Sequence, residues 1–542
     1  MSRKGNKRPS IVSRPAEHSP KTAASPSVPA ETTTDLSYGA WILGSILVLL
    51  GGTLVRFIQL GVSAFDHDEG VNALLTLKLF REGFYAYDPA KFHGPTLYYF
   101  SLVVAGFNSL LGHPEGVTET AMRCGIALVG IAILWLILQL RPWLGAWGSL
   151  GSAALIAVSP AAVYFSRFYI HEMLFVFFTL GIVTGILYYE QTSRPICLWL
   201  AAVSAALLFA TKETAFITVG VLGLAYACTV GYLAWQSRGR REGKSRRKAR
   251  AAQPENRNFR WPLRDLIGAA VVFVVIYLAF YSSFGRNLPG IVDSFRTFRF
   301  WAKSGVSEQL SDSPWLYCTA LVKEEPSISV LGILGLVLAL ARSRSRFPVF
   351  CGFWALGILA AYSLIPYKTP WLALNTIIPL ALVAGYAVAE GISLMKSGMA
   401  WQRVAVPVLL TAALAVSARE AIDISYVRWD DSKVFYCNRR TMRDVVDLTN
   451  TIIDISHHNG RGKASIITCT SDQMIFPLSW SLRDYYNVHF WEQLTPDQTD
   501  ILMVRALQAP ATFHMLADRF APVGSYLLRP GVRVVVLARI RR

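Results

Sequence analysis

Long apolar runs separated by short polar connections make up most of this chain. The runs fall at about 38–58, 95–111, 121–140, 145–165, 172–189, 196–210, 214–235, 265–283, 327–341, 347–365, 371–389 and 403–419. Most approach the roughly 20 residues that an α-helix needs to cross a hydrocarbon layer of about 30 Å. A helix is the form expected there, because it satisfies its own backbone N–H and C=O groups where no water can. Residues 1–37 carry Pro9, Pro15, Pro20, Pro26 and Pro29 among polar side chains and predict a disordered tail. No signal-peptide pattern precedes the run at 38–58, so that run is expected to stay as an anchor. Beyond 420 the pattern changes. A helical period near 440–456 precedes strand-like stretches at 464–469, 501–504 and 524–540, with Arg529-Pro530-Gly531 as the turn inside the last. Residues 421–542 therefore read as a small α/β domain.

Charge decides which runs cross. The tail carries Arg3, Lys4, Lys7, Arg8, Arg14 and Lys21, and the loop 236–264 is still more basic. Basic loops stay on the cytoplasmic side. If all the runs crossed, loop 236–264 would lie opposite the basic tail. Omitting one early run repairs this, and 95–111 is the weakest: it starts at Pro95, is interrupted by Asn108 and is short. It is predicted to lie in the outer interface. About eleven spans within 38–420 remain. Arg141, Arg194, Arg342, Arg344, Arg346, Lys396 and Arg403 then fall inside with the N-terminus. The expected fold class is an all-α polytopic membrane protein with an extracytoplasmic α/β domain at 421–542. Loop 59–120, Ser166–Glu172, Thr211–Glu213, loop 284–326 and Pro366–Trp371 share the outer face.

Composition agrees. Hydrophobic residues are 53% of the 542, charged residues only 16%, and Trp (15) and Tyr (22) are abundant, as at membrane–water interfaces. The net charge of +18 sits in the two basic segments that flank spans, without interleaved stacking aromatics. Anionic membrane lipids, not nucleic acid, are the partner this predicts. Seven Cys form no C-x-x-C pair and no zinc spacing with His; Cys437 and Cys469 are the one pair that could join, and the sequence does not test it.

The candidate chemistry is on the outer face. Asp66-His67-Asp68-Glu69 puts three carboxylates within four residues, which repel one another unless a cation or substrate compensates. Such a cluster can hold a general base poised to take a hydroxyl proton. Tyr85-Ala86-Tyr87-Asp88-Pro89 and His93-Gly94-Pro95 add a second polar group. Three span boundaries on the same side carry cations: Arg167 in Ser166–Glu172, Lys212 beside Glu213, and Lys368 in Pro366-Tyr367-Lys368-Thr369-Pro370-Trp371. One such boundary is uninformative, but three opposite an acidic loop point to a pocket for an anion at the outer leaflet.

These motifs, in this order, resemble the membrane glycosyltransferases of the GT-C fold, the superfamily of protein O-mannosyltransferases and the lipid A aminoarabinose transferase. The family's acidic pair after the first span is matched by Asp68-Glu69. Its His-Pro-Pro is approximated by His93-Gly94-Pro95. Its Arg with an acid five residues on is matched by Arg167 and Glu172, where Asp is usual, and its lysine after the fifth span by Lys212. Together with K-E-T and P-Y-K-T-P-W, the segments are most similar to a prokaryotic branch labelled flippase-activity-associated, a label not taken as mechanism. The resemblance covers about residues 38–420.

The resemblance implies an inverting, hexosyltransferase-type enzyme using a sugar carried on a polyprenyl phosphate. The acceptor would be a hydroxyl on a protein, lipid or glycan outside the cytoplasmic membrane. Asp68, with Glu69, would carry the catalysis; Arg167, Lys212 and Lys368 would bind the donor phosphate. Asp66, His93, Glu172, Glu213 and Tyr367 would hold or orient the acceptor. No cofactor is required by the motifs, although a divalent metal on Asp68 and Glu172 is compatible with them. The helix at 95–111 would shape the lipid entrance. A lipid-linked sugar flippase or transporter is the rival reading, and a non-catalytic glycan-assembly subunit another. A transporter should carry ionisable groups near the bilayer midplane; here they cluster at span ends on one side.

Overall fold

The computed structural model describes residues 36–90, 93–242, 261–304, 313–342, 345–366, 368–438, 440–490 and 497–540, without the side chains of 239–242, 298, 301–304 and 476. The expected tail up to residue 35, the centre of the basic loop (243–260) and Tyr367 lie outside them.

The first helices are α1 (Tyr38–Phe57), α2 (His67–Glu82), α3 (Thr96–Leu110), α4 (Glu119–Gln139), α5 (Arg141–Ala157), α6 (Pro160–Ser166), α7 (Glu172–Thr192), α8 (Pro195–Phe209) and α9 (Ala215–Glu242). After the basic loop come α10 (Leu263–Tyr281), α11 (Pro289–Ser304), α12 (Leu316–Glu324), α13 (Pro326–Arg342), α14 (Arg346–Leu364), α15 (Leu374–Ser397) and α16 (Gln402–Ile422). Every apolar run is thus helical, but the span count differs from the sequence expectation. Among the described residues eight helical segments are long and apolar enough to cross a membrane, or up to ten if the bent pairs α5–α6 and α12–α13 each cross once. The run at 196–210 makes the difference from eleven. It folds as α8, whose 15 residues reach only about 22 Å. The weak run at 95–111 is likewise a short helix, α3.

Sequence explains the bends. Ser159-Pro160 breaks α5 from α6 by 60°, with Pro160 at the first helical position and Ser159 Oγ accepting from Ala162 N–H. Pro326 starts α13 at 109° to α12. α15 is the central helix, with 89% of its apolar window buried, whereas α10 has none and α1 only 11%. Close approach of α5 to α15 depends on glycine: a Cβ on Gly385 would sit 1.9 Å from Ser152 Oγ and 2.4 Å from Gly148 O.

The C-terminal segment contains α17 (Asp444–His458), β1 (Ile466–Cys469), α18 (Ile475–Ser481), β2 (Asn487–Phe490), β3 (Ile501–Arg505), α19 (Ala509–Leu516), β4 (Phe520–Arg529) and β5 (Val532–Arg539). The sheet order is β2-β1-β3-β5-β4; β1 runs parallel to β2 and β3, and β5 antiparallel to β3 and β4. The Pro530-Gly531 turn falls where the sequence predicts it, with Gly531 at φ 81°. Val445, Leu448 and Ile452 of α17 pack on Ile467, Ile501 and Val534 of the sheet. All seven cysteines are free: Cys437 is buried in the core of the helical region and Cys469 in that of the sheet, so the pairing that the sequence left open does not form.

Candidate active site

The acidic run begins α2, and each carboxylate meets a different fate. Asp66 is the N-cap, the position where Asp is favoured. Its Oδ1 accepts from the N–H (2.8 Å) and hydroxyl (2.9 Å) of Thr441, in the segment leading to α17. Glu69, three residues on, reaches back to Asp66 N–H at 3.1 Å. It is fully buried and bidentate with Arg123 of α4: Nε and Nη2 each donate at 2.7 Å. It also accepts from Tyr169 N–H at 2.9 Å, and Arg440 Nη2 lies 3.6 Å away. Burial pushes the Glu69 carboxyl up, but Arg123 and then Arg440 outweigh it and hold the group below the ordinary glutamate value. Glu69 is thus an anchored anion with its oxygens occupied.

Asp68 is different. Half-buried, it makes no hydrogen bond or ion pair with any described residue. Burial pushes its carboxyl up to about 7; the Asp66 and Glu172 carboxylates add to the rise, and His93 and Lys212 oppose it.

The groups that sense Asp68 come from two other loops. At Gly94 the chain passes so close to the α8–α9 turn that a Cβ would lie 2.2 Å from Ala210 O, and Thr96 N–H donates to that carbonyl at 3.0 Å. This contact brings His93 beside Thr211-Lys212-Glu213. His93 Nδ1 meets Glu213 Oε2 at 2.8 Å, and Lys212 Nζ donates to Glu172 Oε1 at the start of α7. Burial would lower the Lys212 ammonium, but Glu172 outweighs it and keeps the lysine charged. Burial likewise opposes Glu213 ionisation, yet His93 holds this carboxyl below its usual range. Tyr87 OH approaches Glu213 Oε1 at 3.4 Å and donates to Thr297 Oγ1 at 2.9 Å, bringing α11 to the site.

The structure brings together Asp68, His93, Glu172, Lys212 and Glu213. Two other expected cations are engaged elsewhere. Lys368 is buried and donates to Ser363 O (3.0 Å) and Ile365 O (2.5 Å), capping the end of α14. Arg167 turns to the end of α1, donating to Arg56 O (3.1 Å) and Gln59 O (3.2 Å) and stacking on Tyr426. Among the described residues no group of three or more His, Cys, Asp or Glu could hold a metal ion, and Glu172 is taken by Lys212. The residues do not fit a divalent metal, and no chemical step is routed through one.

Four participants escape a reading of the sequence. Arg123 carried a usable signal, a lone arginine inside an apolar run. Arg440 and Thr441 carried none, being a distant part of the chain folded back onto α2. His171, quoted within its segment but given no role, is buried with its Nε2 unpartnered among the described residues. Its ring meets His93 edge-on at 5.2 Å. Burial, then His93 and Lys212, drive it well below the ordinary histidine value, so it is a neutral imidazole.

The fold around this site is shared with known proteins. Over 92% of this chain and 98% of the other, the structure is similar to ArnT from Cupriavidus metallidurans bound to undecaprenyl phosphate, with a TM-score of 0.59 at 15% identity. The fold is GT-C. Within it, the chain is also similar to the archaeal oligosaccharyltransferase AglB from Archaeoglobus fulgidus, solved with an inhibitory peptide and a dolichol-phosphate. That match has a TM-score of 0.53 and 11% identity, over 88% of this chain and 71% of the other. The mycobacterial arabinofuranosyltransferase AftD matches with a TM-score of 0.50 and 14% identity, over 94% of this chain and 40% of its own. Residues 107–284 match the family model described as dolichyl-phosphate-mannose-protein mannosyltransferase. That stretch of the GT-C fold includes Arg123, Arg167, Glu172, Lys212 and Glu213 but not Asp68 or His93. No curated protein matches the chain.

Proposed function

We propose that the protein is an inverting membrane glycosyltransferase that moves a sugar, a hexose in the reading favoured here, from a polyprenyl-phosphate donor to an acceptor hydroxyl. The observation that carries this reading is Asp68. It alone of the three carboxylates opening α2 has both oxygens free among the described residues, and its pKa of about 7 suits a base at neutral pH. Asp68 takes the hydroxyl proton as the acceptor oxygen forms its bond to the anomeric carbon. The bond from that carbon to the phosphate oxygen breaks, and its electron pair leaves with the polyprenyl phosphate. Lys212 is the cation proposed to stabilise that leaving phosphate. Glu172 orients the lysine, the His93–Glu213 pair borders the acceptor, and Glu69 fixes the start of α2 through Arg123. Lys368 supports the wall by holding the end of α14.

The site is assigned to the outer face of a cytoplasmic membrane, with the N-terminus inside and the C-terminal domain outside, an arrangement in which the short α8 crosses as an eleventh span. The likeness to proteins solved with undecaprenyl phosphate and dolichol-phosphate supports a lipid-phosphate donor. The test is transfer of radiolabelled sugar from polyprenyl-phosphate donors by purified protein, comparing wild type with Asp68→Asn. Labelled product from wild type and almost none from a folded mutant is expected. Equal product from both would remove Asp68 as the base. Movement of labelled lipid across liposomes, without product, would overturn the transferase in favour of a transporter.

A further inference from the structure

Arg167 belongs to a second, separate constellation. Where the end of α1, the α6–α7 turn and the segment after α16 meet, a recess is lined by Ser63, Tyr164, Arg167, Tyr426, Trp429 and Arg440, among other residues, with no carboxylate among its described lining. The hydrogen bonds of Arg167 all go to neutral oxygens: the carbonyls of Arg56, Ile58 and Gln59 and the Tyr426 hydroxyl. Such oxygens orient a guanidinium without cancelling its charge. Arg440 lies over the rings of Phe168 (4.5 Å), Tyr164 (5.1 Å) and Trp429 (5.7 Å). Its Nη groups reach Tyr164 OH at 3.0 Å and Ser63 Oγ at 3.3 Å, and its buried Nε has no partner among the described residues.

The charges here do not balance. Arg56, fully buried behind Arg167, donates to Gly52 O, Ile156 O, Ala157 O and Ser166 Oγ, all neutral. Arg56, Arg123, Arg167 and Arg440 thus stand against Asp66 and Glu69, four cations to two carboxylates, and Glu69 is already bidentate with Arg123. Nearby acids are engaged by other arginines: Asp430 by Arg443, and Asp423 and Glu420 together by Arg428. Like charges gathered in a poorly hydrated recess repel, and an anion relieves that repulsion. A further polar group points to a ligand: the Ser425 hydroxyl lines the recess, buried and without a partner among the described residues.

The rim indicates what carries the anion. Ile58 and Val62, just past the end of α1, and Val427, after α16, are exposed apolar side chains, and α1 itself is only 11% buried. The recess therefore opens where an apolar span meets the polar layer, at headgroup height. Planar guanidiniums suit phosphate oxygens. We propose that this recess binds the phosphate of a membrane lipid headgroup, at a site separate from Asp68 and Lys212.

The test is native mass spectrometry of the full chain in detergent, titrated with dihexanoyl phosphatidic acid. A lipid-binding event that persists in Lys212→Gln is expected to weaken about tenfold or more in Arg167→Gln. Ser63→Asp, which sets a carboxylate against Arg440, should weaken the same event and guards against a folding defect in the arginine variant. Unchanged affinity in both variants would overturn the site. Displacement by an equal concentration of inorganic phosphate would overturn the lipid assignment. The Lys212→Gln comparison keeps this outcome independent of whether the transferase reading holds.

Discussion

Asp68 and Glu69 are adjacent acids with opposite environments, and their chemistry follows from what surrounds them. Because the Asp68 carboxyl titrates near 7, sugar transfer should rise with pH through about 7 as the carboxylate forms. A pH profile of kcat/KM checks this, and Asp68→Asn should lower the plateau by about 10²- to 10⁴-fold. The same shift has a stability sign. A carboxyl raised on folding contributes stability below its ordinary value of 3.8, and this is lost as pH rises towards about 7. Asp68→Asn should therefore melt higher than wild type at pH 8, although inactive. Arg123→Leu should do the reverse, leaving Glu69 buried without its bidentate partner at a cost of about 3–5 kcal/mol, read as a lower melting temperature of the purified protein. The sequence shows that this acidic pair is chemically charged with meaning, but not which member is free. That division depends on Arg123 and Thr441, brought from α4 and from beyond α16.

At the level of elements, the apolar runs were legible because hydrocarbon thickness imposes a length, and each run is a helix. What pattern alone missed was reach and bending: α8 has only 15 residues, the break at Ser159-Pro160 turns the run 145–165 into a bent pair, and α13 meets α12, which lies outside the predicted runs, at 109° across Glu325-Pro326. Gly94 shows how a loop contact assembles the site. Gly94→Ala puts a Cβ against the Ala210 carbonyl, a backbone atom that cannot swing away. The expected result is separation of His93 from Glu213 and Lys212, with most transfer activity lost while Asp68 is intact. Comparing activity with melting temperature distinguishes local displacement from unfolding.

For the whole molecule, the C-terminal domain completes the site as well as following it in sequence. Trp480 Nε1 donates to Glu119 at 2.7 Å, Tyr426 OH to Val55 O at 2.7 Å, and Thr441 to Asp66. The sequence indicated a small α/β domain and its last hairpin, because strand alternation and a Pro-Gly turn are local signals. Its docking onto α2 was invisible, since no local pattern records contacts between distant segments. Sidedness is testable at this scale. Leu507→Cys, at a side chain 87% exposed, should react with a membrane-impermeant maleimide from outside intact cells, above the background of the native cysteines. Labelling only after the membrane is opened would reverse the proposed orientation.

The bonds between Asp66 and Thr441 join residues 375 positions apart. A ribosome inserting this chain delivers the acidic start of α2 long before the threonine that holds its first residue. The nascent protein therefore passes through a stage in which its helices are in place but that acidic turn lacks its far clasp. Maturation would be timed by translation of the segment around Thr441, and a chain stalled before that point would be a membrane-inserted but unfinished precursor.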